Sequence, residues 1–163
     1  MIKFISLSSG SNGNCYYLGN DETALLIDVG IGGRTIKKRL EDNGLSISSV
    51  KMILVTHNHI DHIKYLGSVA ERLSVPVYAP AGIHNVLEHH PCTKGQIRGC
   101  KRVIRKETFT QCGEVKFASF DVPHDAVETV GYYIDFYGEK FVFMTDMGDV
   151  PDSALEYCRM ANH

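Results

Sequence analysis

The sequence has 163 residues, a length that suits one domain with a hydrophobic core of its own. Its 44% hydrophobic and 22% charged content is typical of a folded protein and excludes an intrinsically disordered chain. The net charge of −2 gives no overall attraction to nucleic acid. No apolar run reaches the roughly 18 residues from which a transmembrane helix is inferred, so no membrane association is expected.

The N-terminal segment and the cysteines indicate the cellular compartment of the protein. The N-terminus, MIKFISLSSGSNG, has no apolar stretch of signal-peptide length and no cleavage-site pattern, so we expect a cytoplasmic protein. The cysteines are odd in number, widely separated and without a CxxC pair, which argues against a disulfide framework and against a cysteine-rich zinc site. We expect free, partly buried thiols at Cys15, Cys92, Cys100, Cys112 and Cys158.

In chain order, the first half of the sequence predicts paired strands and then alternating strands and helices. IKFISLSSG and CYYLGNDETALLIDVG are typical of strands, with a turn at Asn20-Asp21-Glu22 that divides the second into a hairpin. RTIKKRLEDNGL predicts a helix that ends at Gly44, and VKMILVT predicts a buried strand. Helical spacing in IKYLGSVAERL predicts another helix, followed by a short strand in VPVYAP and a short helix in GIHNVLEHH.

The second half returns to paired strands. VKFASFDVPH predicts one strand, VGYYIDFYGEKFVFMTD a strand, a turn and a strand, and SALEYCRM a helix. This order indicates an α+β protein in which helices and sheets form layers, and it differs from the regular alternation of a doubly wound nucleotide-binding fold. The glycine-rich GSNGN and VGIGG lack the GxGxxG spacing before a helix, so a dinucleotide site is not expected.

The segment ILVTHNHIDHI places three histidines and an aspartate directly after a predicted buried strand. His57 and His59 are two positions apart, and in extended backbone such residues point to the same face, so both imidazoles can reach one ion. Asp61 and His62 fall where the next helix begins and can address a second point nearby. Imidazole nitrogens and carboxylate oxygens are ligands of zinc, and also of manganese or iron.

Two further candidate ligands also follow predicted strands. His124 comes after the strand in FDVPHDA, where a proline restricts the local turn, and Asp146 ends the strongly apolar strand in FVFMTDMG. The same placement at strand ends therefore occurs three times in the chain. We expect these side chains to converge with the HxHxDH segment on one metal site.

THNHIDH, the later PHD and the later TDMG resemble, in the same order, the signature of the metallo-β-lactamase-fold hydrolases. SLSSGSNGNCYYL and LLIDVGIGGRTIKKRL are more particular, and they resemble the YycJ/WalJ branch, bacterial proteins regarded as DNA exonucleases. The resemblance runs along essentially the whole chain. It implies an α+β protein with the αββα layering of the metallo-β-lactamase fold over residues 1–163, incomplete at its C-terminus.

The resemblance also implies a ligand set for two divalent ions, with zinc favoured and manganese or iron as alternatives. It places His57, His59 and His124 on the first ion, Asp61 and His62 on the second, and Asp146 on both. Two such ions would make hydroxide available near neutral pH and stabilise charge on the scissile group. Asp61 is the candidate catalytic residue, because it can also orient the attacking water.

Asp28, in LLIDVG, matches a family position that supports the metal ligands from behind. A turn-forming aspartate before glycine is an equally good interpretation of that residue alone. Family members add one more histidine to the second ion from well downstream of the bridging aspartate, and this sequence ends soon after Asp146. We expect the terminal His163 to be frayed and unable to substitute, so the chain is expected to be a fragment with a weakened second metal position.

The remaining histidines match no motif position, and surface locations are expected for His84, His89 and His90. One segment, TKGQIRGCKRVIRKE, departs from the overall charge with six basic residues against one acid. Such a patch can neutralise phosphates, although a solvated face or loop is the plainer interpretation. The candidate nucleic-acid contacts are Lys94, Arg98, Lys101, Arg102, Arg105 and Lys106.

These features favour a metal-dependent phosphodiesterase, most specifically a DNA exonuclease. An RNA-processing nuclease or a small-molecule thioester, lactone or phosphodiester hydrolase fits the same site, because a fold does not decide its substrate. A metal-binding or partner-binding domain without catalysis is the alternative of another class. An iron flavoprotein that reduces oxygen or nitric oxide would need a ligand set richer in carboxylates, which the histidine at position 59 argues against.

Overall fold

Two β-sheets lie face to face in the computed structural model, which describes residues 1–93, 95–123, 127–145 and 152–163. Among these residues the first sheet has six strands whose spatial order follows the sequence: β1 Lys3–Ser8, β2 Cys15–Gly19, β3 Ala24–Ile27, β4 Val50–Leu54, β5 Val77–Pro80 and β6 Lys101–Ile104. The four strands of the second sheet, in spatial order, are β10 Glu139–Phe143, β9 Val130–Phe136, β8 Val115–Asp121 and β7 Thr110–Cys112.

The helices connect the strands and cover the outer faces of the sheets. In the described ranges they are α1 Gly33–Asp42, α2 Ile60–Ile63, α3 Leu66–Leu73, α4 Ala81–His89 and α5 Asp152–Met160, with a 3-10 turn at Ile47–Ser49. None of the helices in these ranges combines the length and the apolar character that a membrane crossing needs. The layered α+β fold predicted from the sequence is confirmed.

Strand direction in the first sheet decides where a site can form. β1, β2 and β3 are antiparallel neighbours, whereas β3, β4, β5 and β6 are mutually parallel. The parallel strands therefore all end at one edge of the sheet, and the loops that follow them meet there. β3 is buried along its whole length, as expected for a central strand that is covered on both faces.

The second sheet separates two hydrophobic clusters. Along β8, Val115 and Phe117 face the core shared with the first sheet, while Ala118 and Phe120 face α5. The ring of Phe120 stacks on that of Tyr157 in α5, with centroids 5.1 Å apart. One strand with two apolar faces thus produces the helix–sheet–sheet–helix layering.

The predicted hairpin and first helix are confirmed, and Gly44 adopts φ 73° just beyond α1. The helix predicted in IKYLGSVAERL is present from Leu66 to Leu73, but it begins later than predicted, since α2 ends at Ile63 and α3 begins at Leu66. In a continuous helix the Tyr65 N–H would donate to the carbonyl four residues earlier, that of Asp61. The Asp61 carbonyl instead accepts a hydrogen bond of 2.7 Å from the Asn14 N–H. Tyr65 N–H donates to the Val29 carbonyl at 3.0 Å, and the helix is interrupted.

Three other expectations have clear outcomes. The basic segment is not wholly a loop, because its residues Lys101–Ile104 form β6 on the edge of the first sheet. His163 is not frayed, because its N–H donates to the Lys140 carbonyl and its own carbonyl accepts from Val142 N–H along β10. All five cysteines are free, as predicted, and Cys15 is fully buried.

Candidate metal centre

The candidate centre lies where β4 ends at the carboxyl edge of the first sheet. Beyond Leu54, the Val55 carbonyl accepts a 2.6 Å bond from the hydroxyl of Tyr132 in the second sheet. The Thr56 carbonyl accepts a 2.9 Å bond from the Val130 N–H at the start of β9. Both sheets therefore hold the backbone immediately before the histidine segment.

Three imidazole rings converge in this segment. The ring centroids of His57 and His59 are 4.7 Å apart, and those of His57 and His62 are 4.0 Å apart. His57 is fully buried and His62 is 2% exposed, while His59 is partly exposed. The extended backbone at His59, with φ −65° and ψ 142°, starts α2 and brings His62 back beside His57.

Asp28 forms hydrogen bonds to His62 directly and to His57 through Thr56. Its Oδ1 accepts from the Thr56 N–H at 2.8 Å, and its Oδ2 accepts from the Thr56 hydroxyl at 2.6 Å and from His62 Nδ1 at 2.6 Å. Asp28 is fully buried and adopts φ 62°, in the left-handed region that few non-glycine residues occupy. The Asp28 carboxylate therefore holds Thr56 and His62 in place, which a residue that only formed a turn would not do.

The hydrogen bonds determine which nitrogen of each ring carries its proton. Thr56 gives its single hydroxyl proton to Asp28, so its oxygen accepts from His57 Nδ1 at 2.9 Å. His62 Nδ1 donates to the Asp28 carboxylate. When these rings are neutral, this arrangement leaves the lone pair of each on Nε2, the tautomer that binds a metal through that atom.

The chemistry of the donor set fits a divalent ion. One ligand atom from each of Asp28, His57 and His62 lies within 4.8 Å of the others, and all three residues are buried. Asp61 Oδ2 is 3.9 Å from His62 Nε2, close to the separation of about 3.4 Å between tetrahedral zinc ligands. Since Asp28 already accepts three hydrogen bonds, Asp61 is the carboxylate that remains better placed to bind an ion with His62.

Asp61 is itself held by a glycine-rich loop near the N-terminus. The side-chain amide of Asn14 donates to Asp61 Oδ2 at 3.1 Å, in addition to the backbone bond between the two residues. The Val29 N–H donates to the His62 carbonyl at 2.8 Å. The loops after β1 and after β3 therefore fix the beginning of α2, which carries two of the candidate ligands.

His124 and Asp146 lie outside the described residues. The ring of His163 stacks on Phe141 with centroids 4.7 Å apart, and its Nε2 contacts the Glu139 carboxylate. Within the described part of the chain, the structure brings together His57, His59, Asp61, His62 and the supporting Asp28.

The prediction that His84 lies at the surface is wrong. His84 is fully buried, and its Nε2 donates to the carbonyls of Val77 and Arg102, each at 3.0 Å. It therefore joins β5 to β6, and burial lowers its pKa despite the opposing effect of the two carbonyls. His89 is exposed and His90 is partly exposed.

The basic segment is less uniformly charged in three dimensions than in sequence. Lys101 pairs with Glu88, and Lys106 Nζ lies 2.7 Å from Asp121 and 2.6 Å from Glu128. Partial burial disfavours the charge of Lys106, but the two carboxylates outweigh it and raise the pKa. Arg98, Arg102 and Arg105 are exposed, whereas Lys94 lies outside the described residues.

Sequence reasoning missed three residues that shape this centre. In the sequence, Asn14 stands out only as part of a glycine-rich stretch, Thr56 only as the end of a strand, and Tyr132 only as an apolar strand residue. The position of Thr56 directly before the HxHxDH segment was a usable signal. Asn14 and Tyr132 act through contacts with residues distant in sequence, which no local pattern shows.

The two facing sheets with outer helices, and the histidine–aspartate cluster at the carboxyl edge, define a metallo-β-lactamase-fold protein. The chain belongs to the beta-lactamase superfamily, since the family model described as Beta-lactamase superfamily domain matches residues 23–162. A metallo-β-lactamase of Cronobacter sakazakii with a HARLDQ motif has a similar fold, with a TM-score of 0.71 at 11% identity, over 89% of this chain and 56% of that one.

Two curated relatives are more similar in sequence. The chain is 37% identical over 165 residues to exodeoxyribonuclease YycJ of Bacillus anthracis, covering 99% of this chain and 60% of the relative. It is 31% identical over 169 residues to exodeoxyribonuclease WalJ of Streptococcus pneumoniae, covering 99% of this chain and 63% of the relative. The predicted resemblance to the YycJ/WalJ branch is confirmed, over somewhat less than two thirds of those proteins' length.

Proposed function

We propose that the protein is a metal-dependent phosphodiesterase that acts on DNA as an exonuclease. The observation that carries the proposal is the Asp28 carboxylate that orients His62 directly and His57 through Thr56, next to Asp61, at the carboxyl edge of the sheet. The likeness to relatives named exodeoxyribonucleases supports DNA as the substrate.

The proposed centre holds two divalent ions, of which zinc suits the ligand types best. The residues that would hold them are His57, His59 and His124 for one ion, Asp61 and His62 for the other, and Asp146 for both. When bound, the ions supply Lewis acidity and an acidified water. A histidine ligand set predicts that chelators remove the ions more readily at lower pH, since each imidazole must be neutral to bind.

The protein's own groups perform the remaining tasks. Asp28 keeps the rings of His57 and His62 in the Nε2 lone-pair tautomer, and Asp61 orients the nucleophilic water and can accept its proton. Arg105 follows the last residue of β6 and so lies at the same edge of the sheet as the centre, whereas Arg98 precedes the strand at the opposite edge. Of these two arginines, Arg105 is therefore the better placed to hold the DNA backbone near the centre.

The test uses the complete gene product with end-labelled double-stranded and single-stranded DNA. We expect metal-dependent release of nucleotides progressively from one end, and loss of this activity together with bound metal in His57→Ala. His89→Ala is the matched control, because His89 is an exposed histidine on α4. A metal-loaded protein that hydrolyses thioesters but leaves all DNA intact would overturn the proposal.

A further inference from the structure

We infer that Asn14 is a positioning residue that sets the direction of the Asp61 carboxylate. The inference rests on the proposed function, because the direction of Asp61 matters most if Asp61 binds an ion. Asn14 lies between β1 and β2 and is only 6% exposed. It is one of the few polar side chains buried beside the candidate centre.

One residue holds both the backbone and the side chain of Asp61. The Asn14 N–H donates to the Asp61 carbonyl at 2.7 Å, and Asn14 Nδ2 donates to Asp61 Oδ2 at 3.1 Å. Asp61 is 31% exposed at its side chain, so solvent would otherwise compete for its carboxylate. A two-point attachment limits both the position of the residue and the rotation of its side chain.

The orientation of the Asn14 amide is itself determined. Its Oδ1 accepts from the Gly10 N–H at 3.1 Å and from the Tyr16 hydroxyl at 3.3 Å. Its Nδ2 donates to the Gly10 carbonyl at 2.9 Å as well as to Asp61. The amide therefore uses two donors and one acceptor at once, a combination that neither aspartate nor serine can supply.

The surrounding backbone leaves little room for adjustment. The Gly30 N–H donates to the Asn14 carbonyl at 2.9 Å, and a Cβ at Gly30 would lie 1.9 Å from the Asp61 carbonyl oxygen. A Cβ at Gly13, which has φ 142°, would lie 2.5 Å from the Gly30 carbonyl oxygen. Gly13 and Gly30 thus allow the loop that contains Asn14, the loop after β3 and the start of α2 to touch. The Asn14 side chain connects the first of these segments to the Asp61 carboxylate.

The test measures binding of Zn²⁺ and Co²⁺ by competition titration in the complete gene product. Asn14→Ala should weaken binding of the ion held by Asp61 by about 10- to 100-fold, as loss of a group that orients a ligand commonly does. The absorption spectrum of bound Co²⁺ should change, because the ligand field depends on how Asp61 approaches. Asn14→Asp is the sharper variant, because its extra negative charge alone would strengthen cation binding, whereas loss of the Nδ2 donor predicts weakening.

Ser8→Ala is the matched control. The Ser8 hydroxyl donates to the Gly13 carbonyl at 2.9 Å, so its loss loosens the same loop and leaves the Asn14–Asp61 bond in place. Ion affinity should stay within about twofold of that of the parent, and the Co²⁺ spectrum should be unchanged. If Asn14→Ala and Asn14→Asp bind the ions as Ser8→Ala does, the inference is wrong.

Crystal structures of the metal-free parent and of Asn14→Ala test the inference without any ion. We expect one orientation of the Asp61 carboxylate in the parent and several, or a different one, in the variant. An unchanged single orientation would overturn the positioning role. A protein in which both variants disturb Asp61 and weaken Zn²⁺ binding, but whose parent degrades no DNA, would refute the proposed nuclease and retain the role of Asn14.

Discussion

His62 Nδ1 donates to Asp28 Oδ2 over 2.6 Å, and both side chains are almost completely buried. The two residues are far apart in sequence, and they meet because β3 and β4 are parallel and end at the same edge of the sheet. A buried carboxylate in this position fixes both the tautomer and the orientation of the imidazole. The geometry of the candidate centre therefore depends on Asp28 as much as on the histidines.

Replacing Asp28 with asparagine tests this dependence. The amide keeps the size of the side chain but removes the charge and gives up one of the two acceptor oxygens. We expect Zn²⁺ affinity to fall by about 10- to 100-fold. The free energy of unfolding of the metal-free protein should fall by about 1–3 kcal/mol, because buried partners lose their acceptor. Zinc competition titrations and urea unfolding measure the two effects, and unchanged affinity would show that Asp28 is only a turn residue.

Gly30→Ala tests the close approach of the three chain segments around Asp61. The added Cβ would lie 1.9 Å from the Asp61 carbonyl oxygen and 2.6 Å from the Asn14 nitrogen, both of them backbone atoms. We expect a loss of about 3 kcal/mol or more in the free energy of unfolding, because such overlap requires backbone movement. Gly99→Ala is the control, since a Cβ there meets no heavy atom within 4 Å. Equal stability of the two variants in urea would contradict the close approach.

His84 should contribute to the pH dependence of stability. Burial lowers its pKa in the folded protein, so below about pH 6.5 the unfolded chain binds the proton more readily. The contribution of neutral, buried His84 to the free energy of unfolding is therefore fully present above pH 6.5. It is lost as the pH falls from 6.5 towards the lowered pKa, by up to about 1.4 kcal/mol per pH unit.

His84→Gln removes the titration and keeps an N–H that can reach the Val77 and Arg102 carbonyls. Urea unfolding at pH 7, 6 and 5 should show a shallower loss of stability in this variant than in the parent. His89→Gln, at an exposed position, should follow the parent. If His84→Gln also follows the parent, the ring is protonated with equal ease in the folded and unfolded chain.

The sequence was most informative where the chemistry is local. The spacing of His57 and His59 after one strand predicted that both rings point to the same face, because strand periodicity acts over a few residues. His62 was expected to address a second point nearby, and its ring centroid lies 4.0 Å from that of His57. LLIDVG pointed to Asp28 through family resemblance, and the hydrogen bonds now distinguish a supporting carboxylate from a turn residue. Nothing in the sequence alone separated those two roles.

The errors occurred where distant residues compete for the same backbone or side chain. The helix break after Ile63 arises because Asn14 occupies the Asp61 carbonyl, a competitor 47 residues away. His84 was expected at the surface because its partners, the carbonyls of two different strands, are brought to it only by the assembled sheet. The charge of Lys106 is likewise compensated by Asp121 and Glu128 from the second sheet and its adjoining loop.

Lys106 is paired with two carboxylates, whereas Arg102 and Arg105 are exposed, so the arginines are the residues expected to bind DNA. Neutralising the exposed Arg102 and Arg105 together, each as glutamine, should weaken binding of any duplex regardless of its sequence, because interactions with phosphates carry no sequence information. The slope of log affinity against log salt concentration should become shallower by about 0.9 for each phosphate that the variant no longer neutralises. Fluorescence anisotropy across a range of salt concentrations, with metal-free protein so that the DNA is not degraded, measures both quantities.

Lys106→Met provides the comparison that separates a DNA-binding residue from an internal ion pair. Its ammonium lies between Asp121 and Glu128, so its removal should lower the free energy of unfolding by about 1 kcal/mol or less and leave the salt slope unchanged. The arginine variant should show the opposite pattern, with an altered slope and unchanged stability. A slope that changes with Lys106→Met and stays constant in the double arginine variant would mean that Lys106, and neither arginine, binds the phosphates. If neither variant changes the slope, the basic segment is a solvated face, and the nuclease proposal depends on the metal centre and the similarity to YycJ and WalJ alone.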